Sequence, residues 1–166
     1  MTLTLPRIAA ALAAVLCVFL VWQRWGSADE RAVRSRLTAL AGDLNRPGGE
    51  GLAAVSRAAD IGGYFTDDVV VDLGEGASPI VGRSTLVGMA ARLERRTSDA
   101  NVRFDDVGVT FGRGPGLADV SLTASFARAA DASGQASIDA REFVLEMTQA
   151  SGQWRIARAS AIDTLR

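Results

Sequence analysis

Histidine and lysine are both missing from this 166-residue chain, and cysteine and tyrosine occur once each, as Cys17 and Tyr64. Without histidine there is no Ser-His-Asp or Cys-His arrangement and no histidine-ligated zinc. Without lysine there is no amine for a Schiff base or for lysine general-base work. Any catalysis therefore falls to Asp, Glu, Tyr64, Ser, Thr or Arg. A lone cysteine rules out a disulfide within the chain and leaves the redox compartment open. All 18 basic residues are arginine, and over residues 29–166 sixteen arginines face nineteen acids, a net charge of −3. There is no basic stripe interleaved with aromatics, so no nucleic-acid partner is expected. No pattern for a cofactor or a metal is present, and repeats and low-complexity segments are absent. The alanine-rich, all-arginine composition is that of a genome rich in G and C rather than a sign of guanidinium chemistry.

Residues 8–22 read IAAALAAVLCVFLVW, without a charge or a proline, between Arg7 and the pair Arg24 and Trp25. A bilayer span takes about 20 residues and a secretory apolar core about 7–15. Leu3, Leu5 and Trp25 extend the run toward a span, with Trp22, Trp25 and Arg24 as interfacial anchors. Residues 1–28 are therefore expected to form a retained signal-anchor, and 29–166 one domain of ordinary size. Secretion after cleavage near Ala28 is the alternative, but it would discard Ser27, which stands at capping-box spacing from Glu30. A literal arginine count on the two flanks favours a cytoplasmic domain. Because Arg31, Arg34 and Arg36 belong to a folded helix, the exported orientation is preferred.

Val33, Leu37, Leu40 and Leu44 recur at 4, 3 and 4, one stripe of an α-helix that Asn45-Arg46-Pro47-Gly48-Gly49 ends. Leu52, Val55 and Ala59 predict a second, shorter helix stopped by Gly62-Gly63. In YFTDDVVVDL, residues 64–73, Val69, Val71 and Leu73 alternate with Asp68, Val70 and Asp72, which predicts a strand entering a turn at Gly74-Glu75-Gly76. A short return strand over Pro79 to Gly82 leads to a third helix carrying Leu86, Val87, Ala90 and Leu93, with Ser84 as its cap. Strands joined as hairpins follow over about 101–112, 117–129, 136–149 and 153–164. The apolar parity slips at Asp105-Asp106 in the first and again between Ala140 and Phe143 in the third. Each slip predicts a β-bulge, and so a sheet bent twice.

Helices followed by a bent, mixed or antiparallel sheet make an α+β arrangement. With "YFTDDVVVDL", "PIVGRSTL", "VRFDDVGVTF", "REFVLEM" and "GQWRIARASAI" in this order, residues 29–166 resemble the nuclear transport factor 2-like superfamily. This SnoaL-like, cystatin-like cone fold is shared by polyketide cyclases, ketosteroid isomerases and scytalone dehydratase. With the apolar start, the chain also resembles anchored accessory proteins of bacterial transport and envelope complexes. That resemblance implies a single-pass protein of the bacterial inner membrane with its domain on the non-cytoplasmic side. It implies binding without catalysis: an apolar or anionic small molecule in the cavity, or a homodimer or envelope-protein partner on the open sheet face at Ser121, Thr123 and Ser125.

Four residues at about 3.3 Å each put Asp68 and Asp72 about 13 Å apart on one strand face, too far to share one cation. The resemblance places the isomerase base at Leu73, one residue past Asp72, and the isomerase oxyanion donors at Arg36 and Arg141. All three positions are altered, so isomerase chemistry is not expected. Two arginines in a pocket imply a carboxylate or phosphate ligand, with Tyr64 as a further pocket candidate. The enzyme alternative is a hydrolase, dehydratase or isomerase. By similarity to epoxide hydrolases of the fold, it would use Asp139 and Arg141 with Asp163 from the neighbouring strand.

Overall fold

The structure is a computed structural model, described here over residues 28–46, 51–74, 76–94, 100–128 and 137–162. The expected anchor over residues 1–28 and Asp163 lie outside the described residues, apart from Ala28 at the start of the first helix. Among the described residues no helix is long and apolar enough to cross a membrane.

Helix α1 runs over 28–45, α2 over Leu52–Gly62 and α3 over Arg83–Glu94. The strands are β1 (Phe65–Asp72), β2 (Ile80–Val81), β3 (Ala100–Thr110), β4 (Leu117–Arg128), β5 (Ser137–Ala150) and β6 (Gln153–Ala161). They form one sheet in the order β2-β1-β6-β5-β4-β3. The β1–β6 pair is parallel, and every other pair is antiparallel. Hairpins account for the antiparallel run from β3 to β6. The parallel pair arises because the chain leaves β1 and returns beside it only after three other strands.

The α1 stripe behaves as its spacing predicts, with Val33, Leu37 and Leu40 at 0, 2 and 3% exposure. They share one core with Val120 and Leu122 of β4, Leu145 and Met147 of β5, and Trp154 and Ile156 of β6. Fully burying one such side chain contributes about 1.5–3 kcal/mol, so this face fixes α1 on the sheet. Val69 and Val71 enter the same core from β1. The ring of Phe111 closes on Trp154 at 5.9 Å and 60°, the tilted geometry aromatic pairs prefer.

Three sequence expectations are corrected. In α2, Leu52 and Val55 are 89 and 65% exposed, and the buried residues are Ala58, Ile61 and Gly62. Small residues face α3 here: a Cβ on Gly62 would stand 2.8 Å from Val87 Cγ2, so the approach itself selects them. Helix α3 begins at Arg83, one residue before Ser84. Its cap is Gly82, whose carbonyl accepts the first helical bond from Leu86 N–H at 3.1 Å and whose φ of +86° suits glycine.

The third correction concerns the bends. The predicted bulge in β3 is there: the β3–β4 register shifts between Asp105 and Gly108, and Asp106 takes φ 53°. The predicted slip in β5 is not, since β4 and β5 pair without interruption from Leu117↔Thr148 to Arg128↔Ser137. The parity argument failed because Ile138 is 75% exposed and needs no buried face. The register shifts instead in β6, where Glu146↔Arg158 is followed by Met147↔Ile156 and Ala157 is the extra residue. A further shift separates Phe65↔Ile156 from Val70↔Arg158 in the β1–β6 pair. Each such shift bends and twists its strand.

Candidate functional site

The carboxylates of the opening acidic stretch serve separate ends. Asp67 pairs with Arg83 and ties the first turn of α3 to β1. Asp72 lies opposite Ser160, across the sheet from Val71, and its Oδ1 accepts the Gly74 N–H at 3.0 Å to shape the turn. Leu73, just past the strand, is 38% exposed.

The pocket candidates fall into two groups that no described contact joins. In the first, Arg36 sits over the Tyr64 ring, 4.0 Å from its centroid, and its Nη2 donates to Gly63 O at 2.7 Å. Tyr64 is buried, and its hydroxyl donates to Asp43 Oδ2 at 2.5 Å, while Arg46 pairs with Asp43 at 2.7 Å. Burial, and then the bond and charge of Asp43, push the Tyr64 phenol up to about 12. Arg57 donates to the Asp43 and Leu44 carbonyls at 3.2 and 2.8 Å. This group fastens the end of α1 to α2 and the start of β1. It leaves the tyrosine hydroxyl occupied.

In the second group, Arg141 lies opposite Ala124 on the face that carries Phe143, Leu145 and Met147. Its Nη1 donates to Leu73 O at 3.3 Å, and its Nε is 3.9 Å from Asp139 Oδ2. The structure thus brings together Leu73 and Arg141, the positions that the resemblance aligned with a base and a donor. Arg141 and Asp139 are 55 and 69% exposed, so their attraction is screened by water.

A cavity lies elsewhere, at the edge of the sheet. Between α1 and the edge strand β3 runs a groove of about 420 Å³, within the range of small-molecule sites. Leu37, Ala41, Val102, Phe104 and Val107 make its apolar floor, and Arg34, Thr38, Asn45, Asn101 and Arg103 its polar rim. Asn45 fixes its end: its side-chain amide accepts from Val102 N–H at 2.6 Å and donates to Val102 O at 2.7 Å. That is the pair of bonds a neighbouring strand would make. Thr38 gives its hydroxyl proton to Arg34 O at 2.9 Å, and Arg34 pairs with Glu30 at 2.8 Å.

Sequence reasoning missed this groove. Its one available signal was two arginines, Arg34 and Arg103, each near a polar amide or hydroxyl at the margin of a predicted apolar face.

No protein-family model matches the chain, and no curated protein does. Solved structures do. The chain is similar to a proposed aromatic ring hydroxylase from Novosphingobium aromaticivorans, at 19% identity and TM-score 0.66, over 84% of this chain and 91% of that one. A proposed scytalone dehydratase from the same organism is similar at 12% identity and TM-score 0.69, over 84 and 87%. A nuclear transport factor 2-like protein with a cystatin-like fold, again from that organism, is similar at 14% identity and TM-score 0.63, over 99 and 94%. At these identities the likeness shows the fold: three helices on a six-stranded mixed sheet, the cystatin-like cone of SnoaL-like and nuclear transport factor 2-like proteins.

Proposed function

We propose that the chain is a non-catalytic binding domain of the cone fold, carried on a single-pass anchor formed by residues 1–28, that takes a small ligand into the groove between α1 and β3. The observation that carries this reading is the groove itself, an apolar floor with a polar rim at a volume suited to a small molecule. Two further facts support binding over turnover. The Tyr64 hydroxyl and the Arg36 guanidinium are engaged by Asp43 and Gly63 within the fold, and Leu73 stands where cone-fold isomerases would carry a base.

The outer sheet face is a weaker candidate for a homodimer or an envelope-protein partner. Its charges are already answered within the chain, Arg113 by Asp119 and Glu146, and Glu146 by Arg158. Ser125 is engaged by Asp105 at 3.3 Å. The uncharged run over 8–22 supports placement in the bacterial inner membrane, with the domain on the non-cytoplasmic side. Reporter fusions to the C-terminus that are active only when exported test that placement.

Native mass spectrometry of the full chain released from nanodiscs tests the function. A non-covalent small-molecule adduct is expected, lost when the exposed wall residue is changed by Thr38→Trp. An adduct that survives that change, or no adduct at all, refutes the groove as the site. Turnover of small epoxides or hydroxylated aromatics that Arg141→Ala abolishes would replace this reading with the enzyme.

A further inference from the structure

Resting on that reading of the groove, we infer that its ligand is an anionic amphiphile: an apolar body on the floor with a carboxylate or phosphate head at the β3 rim. The rim carries two guanidinium groups, Arg34 and Arg103, and no residue lining the groove is acidic. The two arginines are not equivalent. Arg34 is neutralised by Glu30, one turn earlier on α1, at 2.8 Å. Arg103 is exposed on the edge strand and has no ion pair or side-chain hydrogen bond among the described residues. The cationic site open to a ligand is therefore Arg103, and a guanidinium presents a planar fork matched to carboxylate and phosphate oxygens.

The floor sets the rest of the molecule. From Arg34 to Asn45 the groove follows three turns of α1, roughly 16 Å at 1.5 Å per residue. Leu37 and Ala41 lie on one wall and Val102, Phe104 and Val107 on the other, with no acidic side chain among them. Asn45 spends its amide on Val102 and closes that end without offering the ligand a donor. A neutral polar molecule would leave its own groups unpaired along this floor. An elongated apolar chain with one anionic end satisfies both parts of the site.

The test uses the full-length protein in lipid nanodiscs with two photoactivatable probes of equal chain length, a fatty acid and the matching fatty alcohol. Cross-links are mapped by mass spectrometry. The acid is expected to label peptides from 34–45 and 101–107 about threefold more than the alcohol, the size of one solvent-exposed charge pair. Arg103→Gln should erase that preference and Arg103→Lys should retain part of it, both with unchanged thermal melts. Equal labelling of the groove by both probes overturns the anionic assignment and leaves the binding site standing. Labelling by neither overturns the site and this inference together. A preference that survives Arg103→Gln overturns the role of Arg103.

Discussion

Removing one hydroxyl, by Tyr64→Phe, tests the latch between α1 and β1. The bond it deletes is short, 2.5 Å from the Tyr64 hydroxyl to a carboxylate oxygen of Asp43, and the ring is 6% exposed. Hydrogen bonds to charged groups contribute about 1.5–3 kcal/mol. The lower part of that range applies, because Asp43 keeps Arg46 at 2.7 Å and is not left unpaired. The ring also stays in place beneath Arg36. We expect a loss of about 1.5–2 kcal/mol in urea unfolding, and a fall in Tm of roughly 5–8 °C for a domain of this size. The same residue supplies a second readout, since it is the single tyrosine in the chain and tyrosinate absorbance reports it alone. Its phenol ordinarily titrates near 10 and is pushed up to about 12 by burial and by Asp43. Below pH about 10 the tyrosine is protonated in both states, and its stabilisation is fully present. Between about 10 and about 12 the unfolded chain gives up a proton that the folded chain keeps, so stability falls as pH rises through that window. Tyr64→Phe should lack this alkaline loss. A folded-state titration near 10, or a variant that loses less than about 0.5 kcal/mol, within the range of an ordinary surface change, would refute the latch.

Asn45→Ala removes both bonds to the Val102 backbone, and at about 0.5–1.5 kcal/mol each the cost should be about 1–2 kcal/mol after partial replacement by water. Hydrogen exchange at the Val102 amide should speed up, and unchanged exchange would show that the edge of β3 is held by something else. Gly62→Ala should cost about 1–3 kcal/mol in denaturant unfolding, because its new Cβ meets the stiff Val87 side chain at 2.8 Å. Gly108→Ala meets only Ser121 Oγ at the same 2.8 Å, and rotation of that hydroxyl should hold the change to within about 0.5 kcal/mol; equal losses for the two variants would contradict the packing argument. The hydrogen bond from Arg113 holds the Asp119 carboxyl below its ordinary 3.8. Its stabilisation is present above that value and lost as pH falls through the lower folded one. Carboxyl titration by NMR should show Asp119 moving up in Arg113→Gln, and no movement would mean the pair does not persist in solution.

What the sequence made legible was whatever repeats locally against a buried face. The 4, 3, 4 spacing of Val33, Leu37, Leu40 and Leu44 placed α1, and the alternation at Val69 and Val71 placed β1, because both faces meet the same core. The bulge at Asp105-Asp106 was legible for the same reason, since Phe104 on one side of it and Val107 and Val109 on the other all pack against that core. Parity misled at Ile138, where an apolar residue stands exposed, and at Leu52 and Val55, where the apolar side chains of α2 point out while glycine and alanine pack within. Apolar spacing marks the buried side only where bulk does the packing, and at the α2–α3 contact it is the lack of bulk that does it. The groove belongs to another kind of information altogether. Asn45 and Val102 are 57 residues apart, and in sequence Asn45 reads as the stop signal of a helix. It does stop the helix, and the side chain that ends α1 then serves as a strand's partner for the edge of β3. Arg103 is left at the rim because a strand at the edge of a sheet shows water both its outer face and its unpaired side. The position of β3 in the sheet order therefore decides whether that arginine is a solvated charge or the head-group contact of a site.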